Sequence, residues 1–175
     1  MAFGLWKVDD EMIKIKSYKT KDTNIEVTYT PNVKTYNIVS GLMTDDCRPF
    51  RIAQSAMLWI DENGYIGEIE CIYPIVVKEQ ICTFKDKMKT FDGFPAFEIP
   101  YCDNEVYLQN QDSGFIIWLS KDKNIDTIIT FKQLRFLIAN GELVGITCKK
   151  EGMICREEKI TSMSVWTWTP ILLFW

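Results

Sequence analysis

The sequence predicts a mainly β protein: an antiparallel β-sandwich or partly open β-barrel of about ten strands, with at most one or two short helices. Three observations carry this. Short stretches alternate apolar and polar residues, the period-two pattern of a strand with one buried and one wet face. Turn signals separate these stretches every roughly eight to twelve residues. No segment holds an apolar stripe of helical period through three turns.

In chain order, residues 12–18 alternate Ile13 and Ile15 with Lys14 and Lys16, and residues 24–30 alternate Ile25, Val27 and Tyr29 with Glu26, Thr28 and Thr30. The polar connector 19–24 makes the two a hairpin. Pro31-Asn32 turns the chain into a third strand, 33–39. Residues 42–54 read as a loop in which Thr44-Asp45-Asp46 caps at most one helical turn, because Pro49 stops anything longer.

Residues 55–74 form the clearest hairpin. With Asn63-Gly64 as a two-residue type I′ turn, Leu58 pairs with Ile69, Ala56 with Cys71 and Ile60 with Gly67 on an apolar face. The other face pairs Trp59 with Glu68, Met57 with Glu70 and Asp61 with Ile66. Residues 75–83 begin as a strand, 85–89 read as a charged turn, and 91–100 read as an aromatic loop too rich in Pro and Gly for regular structure. Strands follow at 105–109, 115–120 and 125–131.

A second hairpin repeats the first. The pattern Asn-Gly-x-[Ile/Leu]-x-x-Ile-x-Cys runs from Asn63 to Cys71 and again from Asn140 to Cys148, 77 residues later. Internal duplication and convergence on the commonest hairpin signal both account for it. Here a three-residue loop, Ala139 to Gly141, segregates the faces best, pairing Phe136 with Val144 and Leu134 with Ile146. Strands at 153–159 and 162–169 complete the reading, with Met163 and Val165 inward and Trp166 and Trp168 sharing one face.

The 175 residues read as one domain, 1–175, with 47% hydrophobic and 25% charged residues. The net charge of −4 argues against a nucleic-acid partner, which calls for a basic face. The chain has no His, which removes Ser-His-Asp and Cys-His catalysis and His-ligated metal sites. Its six cysteines show no Cys-x-x-Cys pair or zinc spacing and are expected to be reduced and buried. The first residues lack a signal peptide's basic start and apolar run. The apolar stretch 166–175 is too short to span a bilayer. A cytoplasmic location without membrane contact is therefore expected.

Charge is segregated. Residues 40–75 hold six acids and two arginines, 92–120 hold five acids and no base, and 131–150 hold four bases and one acid. Side by side, the acidic blocks make a patch that steers a basic partner. Glu68 and Glu70 project from one strand face beside Trp59 and near Asp61 and Glu62, and these five are the candidate partner-binding residues. No third ligand at recognisable spacing completes a metal site, and no nucleotide or nucleophile motif is present, so no cofactor is expected.

These properties fit a non-catalytic cytosolic binding protein, foremost a small acidic inhibitor that neutralises a basic partner protein, as the immunity protein of a bacterial toxin does. A ligand- or carbohydrate-binding β-sandwich with a platform drawn from Trp59, Trp118, Trp166 and Trp168 is the alternative. A carboxylate-based hydrolase needs two acids converging in a cleft.

Overall fold

The structure, a computed structural model, describes residues 12–99, 105–151 and 153–156. Its strands in chain order are β1 (Lys14–Ser17), β2 (Ile25–Thr30), β3 (Thr35–Ser40), β4 (Arg48–Ala53), β5 (Ala56–Ile60), β6 (Ile66–Ile72), β7 (Ile75–Val77) and β8 (Thr83–Asp92). There follow β9 (Ala96–Glu98), β10 (Tyr107–Gln111), β11 (Gly114–Trp118), β12 (Asn124–Phe131), β13 (Leu134–Ala139), β14 (Glu142–Lys149) and β15 (Met153–Cys155). A 3-10 turn, Pro31–Val33, is the one helical element among the described residues. The mainly β expectation holds, with fifteen strands in place of about ten. The expected strand at 162–169 lies outside the described residues.

The strands form two sheets. The small sheet has the order β15-β2-β3-β6-β5-β4. The large sheet runs β7-β10-β11-β14-β13-β12-β8, with β1 paired to β14 and β9. Three pairs are parallel, β7 with β10, β8 with β12 and β15 with β2. The inward faces of both sheets share one apolar core.

Six strands of the large sheet, β7-β10-β11-β14-β13-β12, match the six of the small sheet in order, while β8, β1 and β9 have no counterpart in it. In the small sheet one transverse row reads Met153, Val27, Ile38, Ile69, Leu58, Phe50. The matching row of the large sheet reads Val76, Leu108, Ile117, Ile146, Phe136, Ile129. Both hairpins carry a bulge at the same place, beyond Trp59 in one and beyond Leu137 in the other.

The halves are also interlocked. β7 follows the first hairpin but joins the large sheet, and β15 follows the second but joins the small one. Ile15 N–H donates to Gly141 O at 2.9 Å and Phe97 N–H donates to Gly64 O at 2.7 Å, so each half clamps the other's Asn-Gly turn. Ile15 and Phe97 pair with each other in β1 and β9, and the equivalent rings of Tyr36 and Phe115 meet at 5.1 Å. The match therefore extends beyond the turn dipeptide to the strand order and to the reciprocal exchange of β7 and β15.

Several local expectations are corrected. The first hairpin turns through Glu62-Asn63-Gly64, not Asn63-Gly64 alone: Gly64 has φ +97° while Asn63 stays right-handed, and Asp61 N–H donates to Tyr65 O. The extra loop residue is absorbed at Gly67, so Ile60 faces Ile66, and the pairs from Trp59–Glu68 to Ala56–Cys71 stand as expected. The second hairpin has the two-residue turn, with φ +53° at Asn140 and +82° at Gly141. The shorter turn moves the partners one residue on and the bulge at Val144 another, so that Phe136 faces Ile146 and Leu134 faces Cys148.

Three segments read as irregular contain strands. β4 lies within the expected loop 42–54; Pro49 fits there because β4 pairs on one side with β5 and needs no ladder donor on the other. β8 covers the expected charged turn. All ten of its residues are exposed, so no alternation marks it, and its Lys-rich sequence suits a sheet edge. β9 sits in the aromatic loop 91–100, where Phe94, Ala96 and Phe97 are buried.

Asp126 on β12 holds the second turn. Its carboxylate accepts the Asn140 N–H at 3.0 Å and lies 3.3 Å from Lys85 Nζ. The Asn140 N–H above all keeps its carboxyl below the usual carboxylate range, against a smaller opposing effect of burial. A depressed folded-state pKa contributes stability that is complete above the unfolded value, near about 3.9, and is lost as pH falls through the folded one. Asp126→Asn is therefore expected to flatten the fall in urea midpoint below about pH 4. At neutral pH the substitution is expected to destabilise by roughly 1–2 kcal/mol. A wild-type slope retained in the variant would assign the acid sensitivity elsewhere.

Candidate functional site

The outward face of the small sheet collects three of the five candidate residues. Trp59 on β5 lies between Pro49 of β4 and Glu68 of β6, and Glu70 lies between Met57 and Asn37. Strand parity places them together: Leu58, Ile60, Ile69 and Cys71 point into the core, so their neighbours point out. Trp59, Glu68 and Glu70 are half-buried. Glu68 Oε1 accepts the Asn37 amide at 2.9 Å, which fixes one carboxylate on the face. Ile72, next in the outward series from β6, is 43% exposed.

Asp61 and Glu62 sit elsewhere, at the hairpin tip. Asp61 Oδ1 accepts the N–H groups of Asn63 and Tyr65 at 2.9 and 2.8 Å, and Oδ2 lies 3.7 Å from Lys21 Nζ. Its carboxylate is committed to the turn, which gives Asp61 a structural task. Glu62 is exposed and lines a shallow cleft of about 300 Å³ together with Lys16, Arg48 and Glu98. Acids and bases meet there, so the tip is not an extension of a purely acidic patch.

The face contains residues that the hairpin sequence did not bring in. Asn37, Val39, Met57 and Ile72, with the exposed Arg51 opposite Met57, complete it as a surface that mixes apolar, acidic and basic side chains. Their signal was present in the parity of β3, where buried Tyr36 and Ile38 force Asn37 and Val39 outward.

The equivalent face of the large sheet is built differently. There Trp118, Gly145 and Leu137 occupy the positions of Val39, Glu68 and Trp59. Val77, Ile81 and Cys82 pack over this row and close it with a second apolar cluster. Trp118 is wholly buried, and its indole N–H donates to Gln109 Oε1 at 3.0 Å. Trp59 and Trp118 thus lie on different sheets and cannot share a platform; Trp166 and Trp168 lie outside the described residues.

The described cysteines are free: Cys47, Cys71, Cys82 and Cys148 are buried and Cys155 is exposed, while Cys102 lies outside the described residues. Burial pushes the thiols of Cys71 and Cys148 up to about 12, Glu70 adding to the effect at Cys71. At neutral pH both act as small apolar side chains. Among the described residues no helix is long and apolar enough to cross a membrane. No family model matches the chain, and no curated protein matches it either.

Proposed function

We propose that this is a non-catalytic, cytosolic binding protein, a small acidic inhibitor of the toxin-immunity type, which holds a basic partner protein on the outward face of the small sheet. The observation that supports this most is the composition of that face: Glu68 and Glu70 interleaved with Trp59, Met57, Val39 and the exposed Ile72. Acids arranged around apolar side chains suit a partner that presents Lys or Arg beside apolar anchors. In the other half the same face is covered by Val77, Ile81 and Cys82, so among the described residues the two faces differ in what lies over them.

Affinity capture from the host supplies candidate partners, and the double variant Glu68→Lys/Glu70→Lys tests the face. Both side chains are half-buried and on the sheet surface, so the fold is expected to persist. Binding at low salt is expected to weaken by about 100-fold, roughly 3 kcal/mol, and the remaining binding to lose most of its salt dependence. Unchanged binding in a folded double variant would remove this face from the interface.

A further inference from the structure

The internal repeat exposes one place where the two halves carry opposite chemistry at matching positions. In the small sheet, Met57, Glu70 and Ile72 lie on the outward face near its far end. Their counterparts in the large sheet are Arg135, Thr147 and Lys149. This end lies outside the cluster formed by Val77, Ile81 and Cys82 over the other end of that face. An open cleft of about 510 Å³ remains, between the turns that join β10 to β11 and β12 to β13.

Three cations line this cleft: Arg135, Lys149 and Lys150. Ser113 and Thr147 add hydroxyl groups, the Gln133 amide donates to Ile25 O at 3.2 Å, and Asp112 and Glu151 also border the cleft. The nearby backbone is well tied, with Lys149 N–H donating to Gln133 O at 3.0 Å and Lys150 N–H to Ser113 O at 2.7 Å. The three cationic side chains are exposed, and no ion pair joins any of them to a described acid. Against Asp112 and Glu151 on its border they leave the cleft with one more cation than anion, in a chain of net charge −4. Like charges held close repel one another, and a bound anion relieves that repulsion. The fold does not require the charge, since the other half builds the same positions from Met57 and Ile72.

We propose that this cleft binds a small multivalent anion bearing phosphate groups, with Arg135 as its bidentate anchor and Lys149 and Lys150 as flanking charges. Ser113 and Thr147 supply hydroxyl donors. The site is on the large sheet and independent of the acidic face.

Inorganic pyrophosphate is the probe, titrated at constant ionic strength while backbone amide resonances are followed. Saturable shifts are expected at Ser113, Thr147, Lys149 and Lys150. Arg135→Met, which installs the residue found at the matching position of the other half, is expected to weaken binding by about tenfold or more while the protein stays folded. Glu68→Lys/Glu70→Lys is expected to leave pyrophosphate binding unchanged, which separates this site from the proposed partner face. Three results would overturn the assignment: no saturation up to roughly 10 mM, equal affinity in folded Arg135→Met, or shifts spread over all surface lysines.

Discussion

Replacing Trp118 with alanine is expected to lower the unfolding free energy by about 3–5 kcal/mol, as the loss of a fully buried large side chain does. Trp118 has no exposed surface and belongs to the cluster that closes the outward face of the large sheet. Gly145 lies opposite it on β14, and a Cβ there would fall 2.9 Å from the indole Cε3. On the Gly145 side the ring therefore lies against bare backbone. Its removal also leaves the buried Gln109 carbonyl without the indole donor, a desolvation penalty of about 1–3 kcal/mol that forms part of the same loss. Trp118→Phe separates the two effects: it keeps most of the apolar volume, loses the donor, and is expected to cost about 1–2 kcal/mol. Val39, the counterpart in the small sheet, is half-buried, and Val39→Ala is expected to cost less than about 1.5 kcal/mol. Urea unfolding of the three variants measures the differences. A loss near 1 kcal/mol for Trp118→Ala, with an unchanged denaturant slope, would mean that the cluster over the large sheet is loosely packed.

Much of the fold was legible because alternation is a local signal. Leu58, Ile60, Ile69 and Cys71 read as a core stripe from sequence and are buried in the structure. The signal fails at edges. β8 is exposed on every residue and β4 carries Pro49 beside two arginines, so neither alternates and both resemble connectors. Turn chemistry misled at both hairpins, because an Asn-Gly dipeptide fits both a two-residue and a three-residue turn: a bulge restores the expected register in the first hairpin and adds to the shift in the second. The repeat was visible as five matched positions in a stretch of nine residues. The exchange of β7 and β15 was not, because which sheet a strand joins depends on long-range pairing that no local window contains. Within the candidate site, parity placed Trp59, Glu68 and Glu70 together. Asp61 and Glu62 followed them by proximity in sequence, and the turn geometry separates them.

The interlocking of the halves makes the two Asn-Gly turns unequal in a way that substitution can measure. Gly64→Ala is expected to destabilise by about 3 kcal/mol or more, Gly141→Ala by about 1 kcal/mol. Both residues have positive φ, +97° and +82°, so both substitutions carry the intrinsic strain of a Cβ in that region. They differ in what the Cβ would meet. At Gly141 nothing lies within 4 Å. At Gly64 the Cβ would fall 2.3 Å from Phe97 O, a backbone atom of β9 that no side-chain rotation can move aside. Relief requires β9 to separate from the turn and the bond from Phe97 N–H to Gly64 O to break. β9 is also paired with β1, which is itself clamped to the other turn, so the disturbance reaches both halves. Hydrogen exchange distinguishes this from simple strain. In Gly64→Ala the Phe97 amide is expected to lose protection, and in Gly141→Ala the Ile15 amide is expected to keep it. Equal, small losses at the two glycines, with Phe97 still protected, would show that β9 does not grip the first turn. The interlock would then rest on the exchange of β7 and β15 alone.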